Sequence, residues 1–234
     1  MNFRSTFGQH LYENRYLYLF LATILQVFLV SFFPDRNYLF INELTFSIFM
    51  LANINFIRHS RRIVLVMIFF GILSIFLAWV PAQSDIGQNI LPWKISIVVL
   101  FIIVIIYQIV SQMVSSKIVD AKMILGVITI YILFGLIAGE CNQLVYHFDH
   151  NAYSGALDPT NNADLRYYSY VTITTLGYGD IAPVSQIARA SAVFFSLTGQ
   201  VYLAVVIALI VGKYVSYTDK KDEEEEEEKE REGN

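Results

Sequence analysis

Six stretches of roughly twenty apolar residues, parted by short polar segments, constrain this chain more than any other feature. They lie at 16–33, 38–57, 63–82, 90–110, 121–139 and 189–212. In hydrocarbon no water is present to satisfy backbone N–H and C=O groups, so an apolar run of this length has to be a helix. The mean hydropathy of +0.52 and the 56% hydrophobic content exclude an ordinary soluble domain. The expected fold class is an all-α polytopic membrane protein with six transmembrane helices. Pro34-Asp35 closes the first run, and Pro92 falls in the first turn of the fourth, where proline costs least. Residues 1–15 are polar with Arg4 and Arg15, and no small-residue cleavage site follows the first run, so no removed signal peptide is expected.

Charge placement orients the runs. The net charge of −4 hides two opposite parts. From Asp219 onward there are ten acidic and four basic residues, net −6, and the remainder is net +2. Arg58, Arg61 and Arg62 follow the second run, and Lys117 and Lys122 surround the loop after the fourth. Cytoplasmic loops carry the excess of basic residues, so both termini are expected on the cytoplasmic side. The opposite loops carry Asp35, Asp85, Asp149, Asp158 and Asp164 with few bases.

Residues 140–188 separate the last two runs. The first half, 140–163, is polar, contains Gly155, Pro159 and Asn161-Asn162, and reads as an exposed extracellular loop. Residues 164–174 are apolar enough for a helix and too short to span; Asp164 is placed to cap its start. Such a helix would re-enter the membrane, with its negative C-terminal end toward the residues that follow. It leads into Thr174-Thr175-Leu176-Gly177-Tyr178-Gly179-Asp180. Glycine tolerates backbone angles that other residues avoid, so alternating Gly177 and Gly179 with larger residues lets successive carbonyls point one way. A row of carbonyl oxygens replaces the water around a bare cation.

This stretch resembles the selectivity filter of potassium channels, with Thr-Leu-Gly-Tyr-Gly-Asp where Thr-Val-Gly-Tyr-Gly-Asp is commonest. The resemblance covers roughly 121–212. It implies that the carbonyls of Thr175, Leu176, Gly177 and Tyr178, with the Thr175 hydroxyl and Gly179 completing the loop, bind dehydrated K⁺. No organic cofactor is implied. Thr174, Asp180, Tyr167 and Tyr168 would support the loop, the two tyrosines standing where the family often has a tryptophan pair. Leu176 replaces the usual Val or Ile, with its side chain expected behind the filter, and Val171 stands where some members have a glutamate. One filter stretch per chain and a pore that needs four imply a homotetramer in the plasma membrane, surrounded by lipid, with no nucleic acid partner and no enzymatic step. Gly199, nineteen residues after Asp180, matches a glycine that acts as a gating hinge in the family; a small residue there also suits close helix packing. The apolar run 201–212 would make an inner pore that can dewet.

The first four runs resemble, in number and placement, the voltage-sensing half of six-span channels. The arginine ladder is missing: Lys94, near the outer end, is the one base in the fourth run. The expected organisation is a cytoplasmic N-terminus at 1–15, a four-helix peripheral domain at 16–116, a pore domain at 117–213 and an acidic cytoplasmic tail at 214–234. The tail is expected to be solvated and disordered, as its Glu223–Glu228 run suggests. The 22 residues after Gly212 are too few for a cytosolic ligand-binding domain, so none is expected.

Other polar groups have two readings each. Glu43 inside the second run is a functional candidate by position, or a residue near the outer end that pairs with Lys94. Asn42, Asn53 and Asn55 suit hydrogen bonds between helices. His147, Asp149 and His150 have side chains that suit Zn²⁺ but read more simply as loop residues. Cys141, the single cysteine, excludes an intrachain disulfide. A weakly selective cation channel stays open through Leu176. A secondary transporter would show two similar halves, and the sequence has one Gly-Tyr-Gly; a non-conducting scaffold is the remaining alternative.

Overall fold

The computed structural model describes residues 14–29, 35–56, 61–80, 84–115, 121–157 and 163–232. Within them lie helices α1 (Arg15–Phe28), α2 (Asp35–Phe56), α3 (Arg61–Ala78), α4 (Asp85–Ser115), α5 (Ala121–Phe148), α6 (Ala163–Ile173) and α7 (Gln186–Glu232). A two-residue antiparallel ladder joins β1 (Tyr153–Ser154) to β2 (Ala182–Pro183), a small addition to the expected all-helical class.

Against the six expected spans, three helices among the described residues are long and apolar enough to cross a membrane: Asp85–Val114 in α4, Ile124–Phe148 in α5 and Gln186–Val206 in α7. Arg15–Phe28 and Ile68–Leu77 are apolar but shorter. Polar residues, among them Asn42, Glu43, Asn53 and Asn55, dilute the hydropathy of α2. The ends of the expected first and third runs, 30–33 and 81–82, lie outside the described residues. At 1.5 Å per residue, the 11 residues of α6 reach about 16 Å, half of the ~30 Å hydrocarbon core.

Helix α5 is the centre of the packing. It touches α1, α4, α6 and α7, and 56% of its membrane-length window is buried, against 11% for that of α7. The core repeats at helical spacing: Val98, Ile102, Ile105 and Ile109 of α4 meet Ile130, Leu133 and Ile137 of α5. Phe46, Phe49 and Met50 of α2 and Leu19 of α1 close the same cluster. A second cluster surrounds the ladder, where Ala152 and Tyr153 pack with Leu165 and Tyr168 of α6, Ile181 and Ala188. Arg15 Nε and the Tyr16 hydroxyl, at the start of α1, both donate to Gln112 Oε1 near the end of α4, at 3.0 and 3.2 Å.

Four expectations change. The loop expected from residue 140 begins as helix, because α5 continues to Phe148 with Glu140 and Asn142 buried. Those polar groups stay inside because each is satisfied by a partner, as described below. Asp164 is in the first turn of α6 rather than capping it; its charge still suits the positive helix end. Pro92 lies about two turns inside α4, not in its first turn. The segment after 214 is helical as far as Glu232 rather than disordered. Glu and Lys are good helix formers, and no glycine intervenes before Gly233.

Candidate ion-conduction site

Helix α6 delivers the chain directly into 174–180. The backbone is left-handed at alternate positions: φ is +59° at Thr175, +59° at Gly177 and +79° at Gly179. Two of the three are glycines, for which the conformation carries no Cβ penalty. Thr175 is the single non-glycine with positive φ among the described residues, and a β-branched residue there is strained. Strain of this kind persists only where the surroundings enforce it.

The enforcement comes from the last turn of α6. Thr175 N donates to Thr172 O at 3.0 Å, while Leu176 N and Gly177 N both donate to Val171 O, at 3.0 and 3.2 Å. Thr174 donates twice to Tyr170 O, through its N at 3.1 Å and its Oγ1 at 2.6 Å. These peptides are trans. A trans peptide holds its N–H and C=O in opposite directions. With the N–H groups of 175, 176 and 177 turned toward α6, the carbonyls of Thr174, Thr175 and Leu176 turn away from it. Residues 174–180 are all exposed in the single chain, with Leu176 at 54% and Tyr178 at 67%.

Two further groups fix the end of α6. The Tyr131 hydroxyl of α5 donates to Ile173 O at 3.2 Å, and the Tyr170 hydroxyl donates to Ile132 O at 2.9 Å. Tyr131 stacks on Tyr202 of α7 with centroids 6.1 Å apart, and Tyr202 donates to Val127 O at 2.7 Å. Gly199 faces the same point. A Cβ built on it would lie 2.5 Å from Ile173 Cγ1 and 2.7 Å from Ile173 O. Helix α7 continues through Gly199.

The two tyrosines expected to support the loop have different places. The Tyr167 hydroxyl donates to Asp180 Oδ2 at 2.8 Å, and this hydrogen bond holds the phenol above its ordinary pKa. Tyr168 turns into the second cluster, edge-on to Tyr153 at 5.4 Å. Behind it Asn142 is a junction: its Nδ2 donates to Ser169 Oγ at 2.9 Å, and its Oδ1 accepts from the Tyr153 and Ser191 hydroxyls at 2.9 and 3.0 Å. That one buried amide joins α5, α6, the ladder and α7.

Glu43 and Lys94 come together, with Nζ 3.6 Å from Oε1. His147, Asp149 and His150 do not gather: His150 Nδ1 donates to Tyr146 O at 2.8 Å, Asp149 Oδ1 accepts from Asn151 N at 3.0 Å, and no group of three metal-type side chains occurs among the described residues. Cys141 is a free thiol, half-buried. Asn53 Nδ2 donates to Phe49 O of its own helix, and the side chain of Asn55 lies outside the described residues. Sequence reasoning missed Arg166, Glu140, Asn142, Tyr131 and Tyr170. Arg166 and Glu140 left a signal, since each is a charge set in or beside an apolar helix.

Residues 126–216 match the family model described as ion channel. With its membrane-length helices, the chain is a membrane protein, and its residues 126–216 are similar to ion-channel domains. Over 67 residues it is 36% identical to two-pore potassium channel 5 of Arabidopsis thaliana, a match that covers 29% of this chain and 16% of that protein. No solved structure matches the chain.

Proposed function

We propose that the chain is one subunit of a homotetrameric, K⁺-selective channel that conducts passively across the plasma membrane. The observation that carries this is the left-handed backbone at Thr175, Gly177 and Gly179, directly after a helix too short to span. In this reading α6 is a re-entrant pore helix. The carbonyls of residues 175–178 and the Thr175 hydroxyl replace the hydration shell of K⁺. The similarity to a protein named as a potassium channel supports the choice of ion.

Assembly follows from what the single chain leaves uncovered. Non-helical backbone at membrane depth is tolerated only where it is buried in protein or lines water, and residues 174–180 have no protein cover in one chain. Phe194, Leu197 and Val201 of α7 are likewise about 60% exposed. Four chains set around one axis cover both. The remaining helices complete six spans, with both termini cytoplasmic. The Arg15–Gln112 contact puts the start of α1 and the end of α4 on one face, as that topology requires. With Lys94 as the one base of its run, gating is not steeply voltage-dependent.

The test is ion flux in liposomes loaded with purified full-length protein. K⁺ flux blocked by Ba²⁺, with little Na⁺ flux, is the expected result. Comparable Na⁺ flux would select the weakly selective channel that Leu176 suggests, and absence of any flux would refute the channel reading.

A further inference from the structure

A line of polar side chains runs from the peripheral helices to α6. Lys94 of α4 pairs with Glu43 of α2 at 3.6 Å. Asn42 Nδ2, next in α2, donates to Glu43 Oε1 at 3.5 Å. Arg166 Nη1 of α6 donates to Asn42 Oδ1 at 2.7 Å, and Arg166 Nη2 reaches Glu140 Oε1 of α5 at 3.2 Å. Gln26 Nε2 of α1 also donates to Asn42 Oδ1, at 3.4 Å. The four charged side chains are only 11–19% exposed. Two cations alternate with two anions, so the line is neutral. Breaking such a line leaves a charge without its partner in a poorly solvated place, which costs far more than an exposed ion pair.

We propose that Arg166 is a positioning residue for the ion filter, and that through Asn42 it makes the filter sensitive to the placement of α2 and α4. The inference rests on the reading of 174–180 as a K⁺ filter. Arg166 precedes Tyr167, whose hydroxyl holds Asp180 at the outer end of the filter. The inner end of α6 is held separately, by Tyr131 and Tyr170. Arg166 shares the outer half of α6 with Leu165, Tyr168 and Ser169, which pack on the ladder and on Asn142 of α5, so a pull on Arg166 is passed to this packed end and to the adjoining Tyr167–Asp180 bond. A shift of α2 against α5 pulls Arg166 between Asn42 and Glu140, which lie on different helices. Lys94 fixes Glu43 and so ties α4 to the same point. A solely structural ion cluster predicts lost stability with unchanged filter behaviour, and this difference is what can be measured.

Single-channel recording of the full chain, with the wild type as control, tests the proposal. Asn42→Leu keeps the branched shape and removes the amide. It should shift the open–closed equilibrium of the filter by roughly tenfold, as expected for losing a hydrogen bond to a charged group. Asn42→Gln should recover part of that shift. The neutral pair Glu43→Gln with Lys94→Met should move the equilibrium in the same direction, and less than additively with Asn42→Leu. Arg166→Lys keeps the charge but cannot bridge both partners, so it should behave like Asn42→Leu. Unchanged open times and K⁺/Na⁺ selectivity in Asn42→Leu, whatever its thermal stability, overturn the proposal. If that variant fails to assemble, unchanged gating in the Glu43/Lys94 pair overturns it equally. A wild type that passes no K⁺ refutes the channel reading itself and this inference with it; a conducting wild type with insensitive variants refutes the inference alone.

Discussion

Gly199→Ala separates two roles for the same glycine. A hinge would lose flexibility and leave the filter intact. The structure instead places Gly199 against the last residue of α6. The new Cβ would stand 2.7 Å from Ile173 O. Ordinary C···O contacts begin at about 3.3–3.6 Å, so the α6 terminus or α7 must yield by roughly 0.6–0.9 Å. Overpacking of this kind costs about 1–3 kcal/mol. The displaced carbonyl is the one that accepts from Tyr131, and the next residue begins the filter stretch. The expected result is a folded tetramer with reduced K⁺/Na⁺ selectivity and unstable conductance, read by bi-ionic reversal potentials and thermal melting of the purified protein. Adding Ile173→Ala removes the Cγ1 contact at 2.5 Å but not the carbonyl, so rescue should be partial. Wild-type selectivity with a changed open probability would refute the packing argument and restore the hinge.

Gly177→Ala acts through the backbone alone, since nothing lies within 4 Å of the added Cβ while φ is +59°. It should cost about 1–2 kcal/mol per subunit in the conducting conformation and abolish K⁺ selectivity in flux assays with the spans still folded. Open probability between −100 and +100 mV should change only shallowly: one charge across 100 mV is worth about 2.3 kcal/mol, and Lys94, paired with Glu43, is the one base of its run. An e-fold rise every few millivolts would show that charges elsewhere cross the field.

How much was legible in the sequence differs from element to element. The membrane-length helices within α4, α5 and α7 were, because burial in hydrocarbon needs only local composition and length. So was the unusual backbone of 175–179, since left-handed conformation at alternate positions favours glycine and two of the three positions carry it. Thr175 in the same conformation was not legible, because a β-branched residue adopts it only when the α6 carbonyls at 171 and 172 hold its neighbours. Residues 140–148 read as loop because they are polar, and polarity is a guide to exposure only when no partner is at hand. Their partners lie far along the chain: Arg166 for Glu140, and Ser169, Tyr153 and Ser191 for Asn142. The same holds for Asn42, whose bond to Arg166 spans 124 positions. Composition, length and glycine spacing are local properties, and they determined the membrane class and the place of the left-handed backbone at 175–179. Which buried polar group meets which is decided only when α2, α4, α5 and α6 come together, because the low dielectric between them penalises every arrangement that leaves a charge or amide without its counterpart.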